Sequence, residues 1–218
     1  MDKKIVLGID TSGIKCGIAL WSDYNVLYQK TVEAPNLHST LLAGFVRAGL
    51  EELNLEPSSV QLVCITAGPG SFTGLRIGMA YAKGFCFALD KPLIAVSNFE
   101  ILASQAPDAM RPIYVLINAR RGLYYLGNFY QENLVLGSCK VIKISDLKRE
   151  MKDPGSIVIE ECNNDKFELS PDLQRKVIRS KLEMKLICQL GFQKYLSGYQ
   201  DDLHILEPLY IQPFAGVS

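Results

Sequence analysis

Apolar residues crowd into three short runs at the start of the chain, residues 4–9, 16–21 and 26–33. The segments between them, Asp10-Thr11-Ser12-Gly13 and Ser22-Asp23-Tyr24-Asn25, are rich in turn formers. That pattern predicts an antiparallel three-strand meander. The period then changes. Leu37, Leu41, Leu42, Phe45, Val46, Leu50 and Leu53 recur at helical spacing, with Asn36 placed to cap the helix N-terminus. A strand over 60–66, a long helix over 71–89, a strand over 92–96 and a short helix over 98–105 follow.

After the break Pro107-Asp108-Ala109-Met110-Arg111-Pro112 the strand pattern restarts, with runs at 113–119, 123–130 and 134–142. Both meanders end their first strand on the same pair, Ile9-Asp10 and Ile117-Asn118, which reads as an internal duplication or as chance similarity. The remainder is less regular: a helix over 146–151, a strand over 157–161, an amphipathic helix over 184–196 and a proline-flanked tail from Pro208 to Pro213. The expected fold class is α/β, built as two small lobes, 1–106 and 107–218, each a mixed sheet with an antiparallel meander and flanking helices.

Composition narrows the function. The chain has 218 residues, 48% hydrophobic and 21% charged, within the range of globular proteins that bury a core. Lys+Arg and Asp+Glu both count 23, giving zero formal net charge. A protein that held a nucleic acid strongly by itself, a tRNA for example, would carry excess cationic charge to displace counterions from the phosphates, so no strong direct binding of such a polyanion is expected. No stretch is long and clean enough for a membrane helix, and no export signal is evident, so a cytoplasmic protein is expected. The six cysteines lie far apart without a Cys-x-x-Cys pair, as buried free thiols of a reducing compartment would.

Two loops could carry chemistry. In Gly8-Ile9-Asp10-Thr11-Ser12-Gly13 a strand runs into a turn whose amides and hydroxyls suit an anion, or else merely cap their own backbone. The second, Gly68-Pro69-Gly70-Ser71-Phe72-Thr73-Gly74, joins a buried strand to the long helix, where free N–H groups favour an anion and Ser71 or Thr73 can cap the helix. Its glycine spacing fits neither a dinucleotide fingerprint nor a P-loop, and the glycines serve equally for tight turns and close packing. Asp10, Thr11, Ser12, Gly68, Gly70, Ser71 and Thr73 are therefore candidate nucleotide- or anion-binding residues.

No catalytic constellation accompanies them. Of the two histidines, His38 and His204, neither belongs to a His-x-x-x-His pair that a helix could present to a metal, and no Gly-x-Ser-x-Gly elbow occurs. No metal ligands and no intrinsic cofactor are assigned. The competing reading, an active small-molecule kinase, needs two phosphate loops and a carboxylate base, whereas the sequence offers one Gly-rich loop and Asp10.

The two loops, with Gly17-Ile18-Ala19-Leu20-Trp21, Leu75-Arg76-Ile77-Gly78, Asn118-Ala119-Arg120-Arg121-Gly122-Leu123-Tyr124-Tyr125 and Glu207-Pro208-Leu209-Tyr210, resemble the TsaB (YeaZ) family over nearly the whole chain. The resemblance implies a duplicated actin/Hsp70-like, ribonuclease H-like fold. It also implies a non-catalytic subunit in threonylcarbamoyladenosine modification of the tRNA adenosine beside the anticodon. The implied partners are a TsaD-type catalytic paralogue, a TsaE-type P-loop ATPase and, in isolation, a second copy, with ATP or ADP held at a complex interface. Asn118 stands where the family commonly has Asp, and Gln212 near a commonly basic position.

The long helix predicts where a partner docks. It is apolar nearly all round, so both sides should be covered. Arg76, Met79, Ala80 and Lys83 are candidates for a partner-facing side or else for core packing inside the lobe, with Ser39 and Ala43 on the preceding helix small enough for close approach, and Phe72 is expected in the core.

Overall fold

The computed structural model describes residues 4–107, 111–130, 136–161 and 177–211. Its principal elements are β1 (Ile5–Asp10), β2 (Lys15–Ser22), β3 (Asn25–Glu33), α1 (His38–Glu52), β4 (Val60–Gly68), α2 (Phe72–Leu89), β5 (Leu93–Ser97) and α3 (Asn98–Ala103) in the first half. The second half has β6 (Ile113–Asn118), β7 (Leu123–Phe129), β8 (Ser138–Lys143), α4 (Leu147–Glu150), β9 (Ser156–Glu160), β10 (Val177–Ser180) and α5 (Met184–Leu196). The expected strand start at Leu134, Cys162 and Gln212 lie outside the described residues.

The chain forms two compact units, Met1–Ser97 with Glu183–Leu209, and Asn98–Leu182 with Tyr210–Ser218. Their sheets repeat one topology, β3-β2-β1-β4-β5 in the first and β8-β7-β6-β9-β10 in the second. In each, the three meander strands pair antiparallel and the two later strands join in parallel beside the first. A shared strand order of this kind is the duplicated actin-like lobe that the resemblance implies. The Ile-Asp/Asn pair marks it at atomic scale: Asp10 Oδ1 accepts the Ser12 amide at 2.9 Å, and Asn118 Oδ1 accepts the Arg120 amide at 2.7 Å.

The first unit is a three-layer sandwich. Central strands buried on both faces cannot alternate apolar with polar, hence the continuous IVLGID of β1, buried at every position. On one face Leu42, Phe45 and Val46 of α1 and Met79, Ala82 and Cys86 of α2 meet Leu7, Ile9, Ile18, Leu20, Val63 and Ile65 in one core. Fully burying such a side chain stabilises the fold by about 1.5 to 3 kcal/mol each. On the other face α5 lies close: Cys188 fills the space a side chain on Gly8 would occupy.

That contact corrects the domain boundary. Placing 107–218 in the second lobe follows the order of the repeats, but the helix after each repeat's last strand packs on the other sheet. The α5 helix covers β1, β4 and β5, whereas α3 covers β6 and β9. The segment after α5 also stays with the first unit, where Asp201 accepts the Ala95 amide of edge strand β5 at 2.7 Å and the Leu209 amide donates to Ala67 at 2.8 Å. An edge strand satisfied in this way presents fewer open backbone groups for aberrant pairing.

In the second unit Tyr114, Leu116, Tyr124, Leu126, Ile142, Ile157 and Ile159 face Leu147 of α4. The opposite face meets α3, where Phe99 packs against Gly127. One cap differs from expectation. Asn36 takes a φ of +64°, which Asn tolerates, and the N-cap of α1 is Leu37, with no side-chain cap bond.

Candidate functional site

The two loops, Gly8–Gly13 and Gly68–Gly74, read as an anion cradle or as capping and packing devices, meet in the first unit. Asp10 ends β1 and is 8% exposed. Its Oδ1 accepts three hydrogen bonds, from the Ser12 amide at 2.9 Å, the Ser12 hydroxyl at 2.7 Å and the Thr66 hydroxyl of β4 at 2.8 Å. Thr11 donates from Oγ1 to the Gly74 carbonyl at 2.8 Å, and the Ser12 carbonyl accepts the Ser71 amide at 2.6 Å. Ser71 caps α2, accepting the Gly74 amide at its Oγ.

The glycine pattern is explained by this interlock. A Cβ on Gly70 would run into the carbonyl of Ser12, one on Gly74 into the carbonyl of Thr11, and one on Gly78 into the Thr11 hydroxyl. Gly74 and Gly78 lie four positions apart on one face of α2, Gly70 sits in the loop just before the helix, and residues 11 and 12 lie against all three. Gly68, at the end of β4, has a φ of +99°, a conformation that disfavours a side chain. Thr73 stands exposed on the first turn of α2. The predicted residues are thus brought together, and the Ser71 and Gly74 amides, the Thr11 hydroxyl and the Asp10 carboxylate all have partners within the lobe.

The second region is the outer side of α1 and α2. Arg76 and Ala80 are exposed and Lys83 half-buried, on the side assigned to a partner. Ser39 and Ala43 of α1 are exposed as well. Met79 is a correction: it is 4% exposed and belongs to the core. At about 100° per residue Met79 trails Arg76 by roughly 60° on the wheel, far enough to turn inward beside Leu75 and Ala82. Phe72 also differs from expectation, half-buried with the Arg76 guanidinium 3.9 Å over its ring rather than in the core.

Sequence reading missed the largest apolar group of this surface. Phe87 is 75% exposed and continues the stripe Thr73, Arg76, Ala80, Gly84 along α2. The signal was legible: Phe87 lies eleven positions beyond Arg76, about three helical turns. Gly44 of α1 and Gly84 of α2 have nothing within 4 Å of an added Cβ, so both helices offer open, small-residue surface. A groove of about 580 Å³ runs between them, lined by Ala43, Val46, Arg47, Leu50, Tyr81 and Phe85, among others.

The remaining chemistry is muted. Burial pushes the thiols of Cys86 and Cys188 up to about 12, and burial with the nearby negative Asp10 raises Cys16 to about 11. Such thiols hold their protons at neutral pH. His38 is buried, its Nε2 3.1 Å from the Lys15 carbonyl, tying the start of α1 to β2. His204 lies exposed in the tail. Among the described residues no group of three His, Cys, Asp or Glu is arranged to hold a metal ion, and no helix is long and apolar enough to cross a membrane.

Comparison with known proteins agrees with this architecture. Residues 32–201 match the family model described as TsaD, tRNA N6-adenosine threonylcarbamoyltransferase. The tRNA threonylcarbamoyladenosine biosynthesis protein TsaB of Bacillus subtilis is 34% identical over 60% of this chain and 57% of its own length. The TsaB protein of Buchnera aphidicola from Schizaphis graminum is 27% identical over 80% of this chain and 87% of its own. Among solved structures, a Pseudomonas aeruginosa protein described as similar to peptidase YeaZ superposes with a TM-score of 0.74 at 23% identity, covering 96% of this chain and all of that one. The chain belongs to the TsaD-type threonylcarbamoyltransferase family, in its TsaB (YeaZ) branch.

Proposed function

We propose that this chain is a non-catalytic scaffold subunit in the formation of tRNA threonylcarbamoyladenosine, the process named for its TsaB relatives. In this reading the outer side of α1 and α2 binds the TsaD-type catalytic paralogue, a TsaE-type ATPase joins the assembly, and a second copy takes the paralogue's place in isolation.

The observation that carries the reading is the exposed stripe from Thr73 to Phe87 beside the open small residues Ala43 and Gly44. A large aromatic in water flanked by side chains too small to separate two helices suits burial against another helix pair. A family that contains both this chain and a larger paralogue supplies a partner whose related fold can present such a pair. The interlocked loops support the non-catalytic half of the proposal, because the groups that would turn toward a phosphate are engaged with one another. Any ATP or ADP is then held with the help of a partner.

Reconstitution tests it. Purified paralogue, ATPase and this chain should together modify unmodified tRNA, the chain alone should neither modify tRNA nor turn over ATP, and omission of the chain should abolish modification. ATP turnover by the chain alone that disappears in Asp10→Ala would overturn the scaffold reading.

A further inference from the structure

The second unit carries a basic hairpin that the partner surface leaves unexplained. Between β6 and β7 the chain turns through Asn118-Ala119-Arg120-Arg121-Gly122-Leu123, and Arg120, Arg121 and Gly122 have φ values of +67°, +52° and +74°. The Leu123 amide donates to Arg120 and the Ala119 amide to Leu123, while Asn118 Oδ1 accepts the Arg120 amide at 2.7 Å. A hairpin turn with positive φ at both central residues is most easily made with Asn-Gly, so an arginine at the first of them is not there for turn chemistry.

Both arginines are exposed, and no ion pair among the described residues engages either one. No Asp or Glu occurs in residues 111–130 or 136–143. Of the carboxylates described beyond these strands, Asp146 is approached by Arg149 at 3.4 Å, Glu150 pairs with Lys140 of β8, and Glu160 stands on β9, across β6 from the β7–β8 side. Lys143 of β8 pairs opposite Leu123, and Val141 opposite Tyr125. Residues directly opposite share a face, and so do residues two apart. Lys143, Leu123 and Tyr125 therefore lie together beside the turn, Lys143 exposed and Tyr125 half-buried, while α3 covers this face further along, at Gly127.

We infer that this end of the second sheet is an RNA contact: Arg120, Arg121 and Lys143 take backbone phosphates and Tyr125 offers a face for a base. Cations around an aromatic platform on a sheet suit single-stranded or looped RNA, whereas an acidic protein segment needs the cations without the ring. Three phosphate contacts give weak binding, in keeping with the zero net charge of the chain. Their use is to orient a tRNA held mainly elsewhere, a role that rests on the reading of this chain as part of a tRNA-modifying assembly.

The test is fluorescence anisotropy of the full chain with a labelled anticodon stem-loop and with unmodified tRNA, across a salt series beginning at low salt. Wild type should bind with a log–log salt slope of about −2 to −3. The doubly substituted Arg120→Glu/Arg121→Glu protein should bind about tenfold or more weaker, with a slope shallower by roughly 2. Asn118→Asp, which keeps an oxygen for the Arg120 amide but adds a negative charge, should weaken binding several-fold, Tyr125→Ala should weaken it without changing the slope, and Lys185→Glu on α5 should match wild type. The same preparations are assayed for melting temperature and for capture of the paralogue. RNA binding lost with melting and capture intact supports the contact. Absence of salt-dependent binding by wild type, or wild-type RNA affinity in the folded double variant, overturns it, and loss of capture alone in that variant would assign the arginines to a protein partner instead. Failure of wild type to capture the paralogue counts against the scaffold reading and leaves the RNA result to stand on its own.

Discussion

The Thr11 hydroxyl donates to the Gly74 carbonyl at 2.8 Å, joining the turn after β1 to the first turn of α2. Because the approach requires no side chain at 74 or 78, Gly74→Ala and Gly78→Ala should each destabilise the chain by about 1 to 3 kcal/mol despite alanine's better helix propensity. Gly84→Ala, with open space around it, should be neutral or stabilising by up to about 1 kcal/mol. Chemical denaturation of the three variants separates packing from propensity.

The Asp10 carboxylate, at the end of β1, is held by three donors, two from Ser12 in the turn and one from Thr66 on β4. Asp10→Ala should cost about 2 to 3 kcal/mol of stability, since it leaves the Ser12 and Thr66 hydroxyls buried without this acceptor. Unchanged melting of the variant would mean that Asp10 is kept for a purpose other than structure.

Met79 and Phe87 should behave oppositely. Met79→Asp buries a charge in the core of the first unit and should prevent folding or lower stability by several kcal/mol. Phe87→Glu, on an exposed position, should leave the melting temperature of the chain at low concentration close to wild type. Circular dichroism melts of both proteins test the corrected helix face.

Raised thiols make stability fall in alkali. Cys86 and Cys188 go from 9.0 to about 12 on burial and Cys16 to about 11. The folded state therefore keeps protons that the unfolded state releases. The stabilisation is complete below pH 9 and is lost as pH rises from 9 toward the folded values, by up to about 1.4 kcal/mol per pH unit for each thiol. Denaturation midpoints should drop between pH 8.5 and about 10.5, and Cys86→Ala should flatten the dependence. In the native protein at neutral pH these thiols should resist alkylation until denaturant is added.

What was legible in the sequence divides by the range of the interactions. Local patterns gave both meanders, α1, α2 and the Ser71 cap, because periodicity and capping are read within a few residues. The strand β10 went unread, since Val177–Ser180 is four residues whose pairing partner β9 is remote in sequence. The boundary at 106 failed for a similar reason: which sheet α5 covers depends on Gly8 making room for Cys188 and Gly191 making room for Cys64. The glycines of the second loop were visible but ambiguous, because anion binding and close packing ask for the same residue, and only the position of Thr11 and Ser12 against α2 reveals the packing. On α2 itself, taking Arg76 and Lys83 as the face centre pulled Met79 outward and passed over Phe87.

Sedimentation velocity of the chain mixed with its TsaD-type paralogue is the most direct measurement. The scaffold account predicts a heterodimer with wild type, no heterodimer with folded Phe87→Glu, and a self-associated wild-type chain that becomes monomeric in the same variant. A folded Phe87→Glu protein that still sediments with the paralogue as wild type does would contradict it.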